Sequence, residues 1–124
     1  MDGKIALEEH WAIERMPPPL DETTNAAEQP EYLLQPSAGE ARCRLVTFGP
    51  RSSFPMHTTA TLDFLVVLSG ELRMLMEEGE IVLHAGDTVV QRGTPHGWAN
   101  DTDQECVVAG ILISAEQLPE EPIA

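Results

Sequence analysis

Basic residues are scarce in this chain: seven Lys and Arg stand against 21 Asp and Glu, giving a formal net charge of −14 over 124 residues. A surface this negative repels phosphate backbones and anionic lipid headgroups, which argues against nucleic acid or membrane partners. A small anionic substrate is not excluded, because the field inside a pocket can differ from that of the whole molecule. Cysteine is nearly absent. Cys43 and Cys106 are too few for a disulfide framework, and there is no Cys-x-x-Cys. Both lie in apolar, strand-like segments, where a buried, reduced, structural thiol is expected. Arg42 and Arg44 flank Cys43, but on a strand they point to the opposite face. Long apolar runs are missing as well, and none approaches the ~20 residues that cross a bilayer. The first ten residues lack the basic start, apolar stretch and small-residue cleavage site of a secretory signal, so the expected location is the cytoplasm. This length suits one domain.

Strong helical patterning is also lacking, and what is present is a series of short strands. Residues 1–40 read as an extended arm: Met16-Pro17-Pro18-Pro19 cannot form a helix interior or a central strand, and the stretch from Asp21 to Gly39 is polar, with Pro30 and Pro36. A short strand is expected near Lys4–Leu7 or His10–Ile13. Residues 41–115 have the texture of a β-barrel domain, and residues 116–124 form an acidic tail with Glu116, Glu120 and Glu121. Within the barrel, Arg42–Phe48 reads as a strand, and Gly49–Ser53 as a turn. Leu62–Leu68, apolar apart from Asp63, suggests a strand buried on both faces. Glu71–Glu77 alternates, with Leu72, Met74 and Met76 on one face, and Glu78-Gly79 turns it back into Glu80–His84. Thr88–Gln91 and Glu105–Ile113 follow. Short strands about ten residues apart, punctuated by glycine, predict an all-β barrel or sandwich.

Three residues stand out for chemistry. His57 is placed at the opening of a strand, Asp63 six residues on can share its face, and His96 follows Pro95 in an irregular segment. Two imidazoles and a carboxylate form a recognised ligand set for Fe, Mn, Ni or Zn with positions left open. The same residues read equally as a turn cap, a turn initiator and a satisfied structural histidine. Strand parity nominates Phe64, Met74, Met76, Gln91 and Trp98 as pocket walls, with Gln91 singled out because an inward amide needs a partner. Asn100 reads as a turn-former.

The segment Met56-His57-Thr58-Thr59-Ala60-Thr61-Leu62-Asp63, running on to Gly70, resembles the first motif of the cupin superfamily. Gly86–Asn100, with its Gly-Asp opening, its Pro95-His96 pair and Asn100 four residues later, resembles the second. The resemblance covers roughly residues 42 to 113, and it implies a double-stranded β-helix (jelly-roll) barrel in a small single-domain cupin, commonly a homodimer. It also implies a divalent metal held by His57, Asp63 and His96. Asp63 takes the place of a longer glutamate, and Thr59 stands where a second histidine belongs. That departure leaves either a three-ligand site or a pocket without its metal.

The resemblance implies a metal-dependent enzyme acting on a small oxygenated compound (aromatic, keto or polyketide-like). Its reaction would be decarboxylation, dehydration, isomerisation or dioxygenation, with Asp63 and His96 as catalytic groups and Thr59 in the substrate pocket. The alternative is a non-catalytic small-molecule binder without metal, and a metal-free acid–base pair of His96 and Asp63 is a third reading. A second similarity touches Gly3–Ile13, which is similar to the opening of metal-dependent decarboxylases of the amidohydrolase superfamily, with Glu8 and His10 as its Glu-x-His pair. This chain is far too short for an eightfold barrel of ~250 residues, so Glu8 and His10 are expected on the surface of an edge strand.

Overall fold

The structure, a computed structural model, describes residues 2–18, 20, 36 and 38–116. Most of the expected arm between 21 and 35, and the acidic tail from 117 onward, lie outside the described residues. The fold is all-β, with no helix among the described residues. Nine strands follow in order: β1 (Ile5–Ile13), β2 (Ala41–Phe48), β3 (Ser52–His57), β4 (Thr61–Ser69), β5 (Glu71–Met76), β6 (Gly79–His84), β7 (Thr88–Gln91), β8 (His96–Asn100) and β9 (Cys106–Ser114). They form two antiparallel sheets, a five-stranded one ordered β1-β2-β9-β4-β7 and a four-stranded one ordered β3-β8-β5-β6. The chain passes from one sheet to the other at every connection except β1–β2 and β5–β6. Phe48, Val67, Leu72, Met74, Leu83, Trp98, Cys106 and Val108 close the core between them.

Two strands fall where the sequence suggested irregular chain. Ser52–His57 is the edge strand β3, and its Pro55 is accommodated because a shift in pairing between Phe54 and His57 places it at a bulge. His96–Asn100 is β8, which begins directly after Pro95. His57 therefore closes a strand rather than opening one, and Asp63 stands on β4 in the opposite sheet.

Register across the five-stranded sheet sorts its residues into two faces. Inward, Gln91, Asp63, Leu112, Arg42 and Ala12 form one transverse row, and Val89, Leu65, Gly110, Arg44 and Glu9 the next. Outward, Val90, Phe64, Ile111, Cys43 and Trp11 line up across all five strands, each of them exposed. The expectation that β4 is buried on both faces is thus corrected: Phe64 and Leu68 face outward and are exposed. The expectation for Cys43 is corrected with it, since its thiol is exposed on this apolar outer face, while Cys106 is fully buried. Burial pushes the Cys106 thiol up to about 11.

A register shift between Glu9 and Trp11 makes the inward row possible. The extra residue resets the alternation, so that Glu9 and Ala12 both point inward while Trp11 points out. Glu9 then meets two buried guanidiniums, with Arg42 Nη1 at 2.9 Å and Arg44 Nε at 2.5 Å from its carboxylate oxygens. Glu8 and His10 stay on the exposed surface of this edge strand.

Asn100 ties the far end of the fold together. Its buried Nδ2 donates to the carbonyls of Phe48, Gly49 and Gln104, and its Oδ1 accepts from the backbone N–H and the hydroxyl of Thr102. The end of β2 and the β8–β9 connection thereby share one amide. Asn100→Ala leaves the buried carbonyls of Phe48 and Gly49, and the half-buried one of Gln104, short of a donor, and we expect a loss of about 2–4 kcal/mol in the free energy of denaturant unfolding. A loss within ~0.5 kcal/mol would show that water replaces the amide at this position.

Candidate functional site

The two histidines arrive from adjacent strands of the four-stranded sheet as a cross-strand pair, His57 opposite His96. Each is oriented by the backbone two residues earlier: His57 Nδ1 lies 2.8 Å from the Pro55 carbonyl and His96 Nδ1 2.9 Å from that of Thr94. A carbonyl oxygen only accepts, so Nδ1 carries a proton in both rings, and it is Nε2 that holds the lone pair of the neutral imidazole. The rings sit 4.4 Å apart between centroids, with Phe54 edge-on to His57 at 4.7 Å and Trp98 edge-on to His96 at 5.5 Å. Gly97 lets the strands come this close, since a Cβ there would stand 3.0 Å from the Phe54 carbonyl oxygen.

Asp63 faces the pair from the other sheet. It is 5% exposed, and its Oδ1 has no hydrogen-bond partner. Burial pushes its carboxyl above the ordinary carboxylate range, against the opposing pull of the Thr61 hydroxyl, His96, Arg44 and His57. Burial likewise pushes the His96 imidazole below its usual range, so the neutral ring is favoured. Thr59, in the place of a second histidine, is buried and shares a 2.8 Å hydrogen bond with Thr61. Thr59, Thr61 and Asp63 thus form a chain of side-chain hydrogen bonds along the start of β4.

His57, Thr59, Asp63, His96 and Trp98 all line one cavity of about 130 Å³ between the sheets. The other nominated walls lie elsewhere. Met74, Met76 and Gln91 line a neighbouring depression beside β6 and β7. Phe64 faces outward because it alternates with Asp63 and Leu65, which point in. The Gln91 amide does have its partner, accepting at Oε1 from the Thr94 N–H and hydroxyl, and it so steadies the segment that leads into His96. The sequence reading missed Arg44 and Gly110, which line the cavity, and Glu9, which holds Arg44. The available signal was the alternation Arg42-x-Arg44 within an apolar strand, since two inward cations require an inward anion.

The donor chemistry fits a divalent metal: two imidazole Nε2 atoms and a carboxylate with an unpaired buried oxygen. The spacing brings together only the two rings. Among the described residues, no three His, Cys, Asp or Glu side chains are gathered to hold an ion.

A cupin-domain family model matches residues 44–114, which is more than half of the chain. The chain belongs to the cupin family. A cupin superfamily protein from Desulfitobacterium hafniense shares the fold, with a TM-score of 0.61 at 10% identity over 92% of this chain and 81% of that one. A cupin-domain-containing oxidoreductase of Hypocrea virens is 38% identical over 61 residues, covering 48% of this cupin and 31% of the relative. Oryzines biosynthesis cluster protein J of Aspergillus oryzae is 34% identical over 95 residues, covering 73% and 53%. The cupin thus spans between about a third and a half of these curated relatives, and its partial homologues include cupin-domain oxidoreductases.

The Glu9 ion pairs border this cavity and stabilise its β1 wall, which contributes Ile5 and Leu7. Glu9→Ala leaves two buried guanidiniums without their carboxylate. We expect a loss of about 3–5 kcal/mol, read as a melting temperature lower by on the order of 10 °C. An unchanged melting temperature would show that Glu40, 3.8 Å from Arg42, takes over the compensation.

Proposed function

We propose that this cupin is an enzyme acting on a compact, oxygenated and largely apolar compound bound in the cavity between the sheets. Its reactive end is formed by His57, His96 and Asp63. The observation that carries the reading is the histidine pair: both rings expose the same nitrogen by the same backbone device, beside a buried carboxylate with an unused oxygen. The cofactor in this reading is one divalent ion (Fe, Mn, Ni or Zn), held by Nε2 of His57 and His96 with Asp63 as the third ligand. Such a metal supplies Lewis-acid stabilisation of negative charge on a substrate oxygen and, when redox-active, oxidative chemistry. The named activity of the fungal oxidoreductases favours the oxidative branch over decarboxylation, dehydration or isomerisation. The protein's own part is to fix both imidazole tautomers, keep Asp63 within the Thr59–Thr61 hydrogen-bond chain and exclude water with Phe54, Leu65 and Trp98.

The metal-free reading, with His96 and Asp63 as an acid–base pair or a plain binding site, is favoured by the absence of a three-donor cluster among the described residues. Elemental analysis of protein purified without a chelating tag separates the two. We expect about one equivalent of metal per chain, reduced at least ~10-fold in His96→Ala. Wild-type protein that stays metal-free after reconstitution would overturn the metal site and leave the acid–base reading.

A homodimer is part of the proposal. Copies carrying a net charge of −14 repel one another, and the outward row Val90, Phe64, Ile111, Cys43 and Trp11 is an uncharged, exposed path across a whole sheet. Two copies can meet on this row at little electrostatic cost. Sedimentation is expected to give a dimer that tightens with salt, and Phe64→Glu a monomer. Cys43 is expected to react with a thiol reagent faster in the variant than in wild type, with Cys106 inert in both. Monomeric wild type with a fully reactive Cys43 would sink the dimer.

A further inference from the structure

The five-stranded sheet places one permanent cation on the wall of the cavity. Arg44 is 4% exposed and lines the cavity together with His57, Asp63 and His96, and most of the remaining lining is apolar. It stands directly across from Gly110 on β9, and beyond Gly110 lies Leu65 on β4. A Cβ at position 110 would come within 2.8 Å of the Leu65 side chain, so the glycine makes room for Leu65 to pack over β9 beside the arginine. Glu9 holds the guanidinium on its Nε side from the neighbouring strand. The head is thereby fixed in place rather than free to swing into solvent.

We propose that Arg44 is a specificity-determining residue that selects a substrate bearing a carboxylate or enolate group, with its apolar body against Val46, Leu72 and Val108. This inference rests on the reading of the cavity as the substrate site. A planar guanidinium presents five N–H donors in a fixed fork and matches a carboxylate better than any other side chain. Being buried, it acts at low dielectric, where one charge-assisted contact outweighs the diffuse repulsion of a surface that salt screens. The volume sets the body. About 130 Å³ is close to the ~150 Å³ of an apolar protein cavity that takes up benzene, so one six-membered ring or a branched chain of similar bulk fits. The anionic group then lies at the polar end, within the same cavity as the histidine pair and Asp63.

Isothermal titration of the purified protein with benzoate and with the neutral isostere benzamide tests this. Wild type is expected to bind benzoate at least about tenfold more tightly than benzamide, the factor that ~1.4 kcal/mol represents. Arg44→Gln is expected to bring the two affinities to within ~2-fold while benzamide still binds. The double variant Glu9→Gln/Arg44→Gln, which removes both charges and leaves neither partner ionised, provides the same reading if the single variant fails to fold. Equal affinity for the two compounds in wild type overturns the inference and leaves the cavity reading standing. A benzoate preference that survives in the arginine variants also overturns it, because the anion is then held by something else, such as a bound metal. Wild type that binds neither compound overturns the cavity reading and this inference together.

Discussion

A guanidinium between two apolar sheets must be compensated, and much of this fold follows from that requirement. Arg42 and Arg44 point inward because they share the alternation of Val46 and Phe48 on β2, which builds the core and the cavity wall. Removing such charges from water costs several kcal/mol each unless an opposite charge is held close by. Glu9 meets both, and it can do so only if β1 pairs with β2 in this register. Once β1 is held there, Ile5 and Leu7 close one side of the cavity and the strand's bulge turns Trp11 outward. One ion-pair cluster therefore fixes the edge of the sheet, the wall of the site and part of the outer apolar face.

The histidine pair is organised on a different principle. Neither ring depends on a second acidic side chain for its orientation; each gives its Nδ1 proton to a carbonyl two residues earlier. In both cases a proline is involved, Pro55 as the accepting residue and Pro95 as the residue between acceptor and ring. A proline has no N–H to place in a ladder, so its neighbourhood bends away from regular pairing and leaves a carbonyl free to accept from a side chain. The tautomer is thus set by the local chain, and the two Nε2 atoms are presented by strands that are themselves hydrogen-bonded neighbours.

Local sequence carried much of the architecture and less of the site. The β5–β6 hairpin with its Glu78-Gly79 turn and the strand ending at Gln91 were legible because alternation and glycine turns are local signals. So was the cupin resemblance in Gly86–Asn100. Strands β3 and β8 were not, because Gly49–Ser53 read as a turn, His57 as the opening of a strand and the segment around Pro95 as irregular, and only the sheet reveals that Pro55 sits at a bulge on an edge and Pro95 just before a strand. His57 and Asp63 read as one face of one strand, whereas the chain changes sheets between them and they meet across the core. The burial of Phe64 and Cys43 was misread for a related reason: an apolar residue on an outward face looks the same in sequence as one on an inward face. Arg44 and Glu9 are 35 positions apart, and no short-range pattern links a buried cation to its partner.

The site is divided between the two sheets, and that division explains its shape. The four-stranded sheet contributes the imidazoles and the five-stranded sheet the charged groups Asp63 and Arg44. Their separation is set by the packing of the layers, in which Phe48 of one sheet meets Trp98 of the other at 6.1 Å between ring centroids. Trp98 also lies edge-on to His96, so the contact that spaces the sheets also supports one ring of the histidine pair. A site built on strands in this way is held more rigidly than one carried on loops. Its polar side chains, His57, Asp63, His96 and Arg44, share one cavity whose remaining lining is mostly apolar, and the hydrogen-bonded sheets that carry them hold those groups in a fixed arrangement.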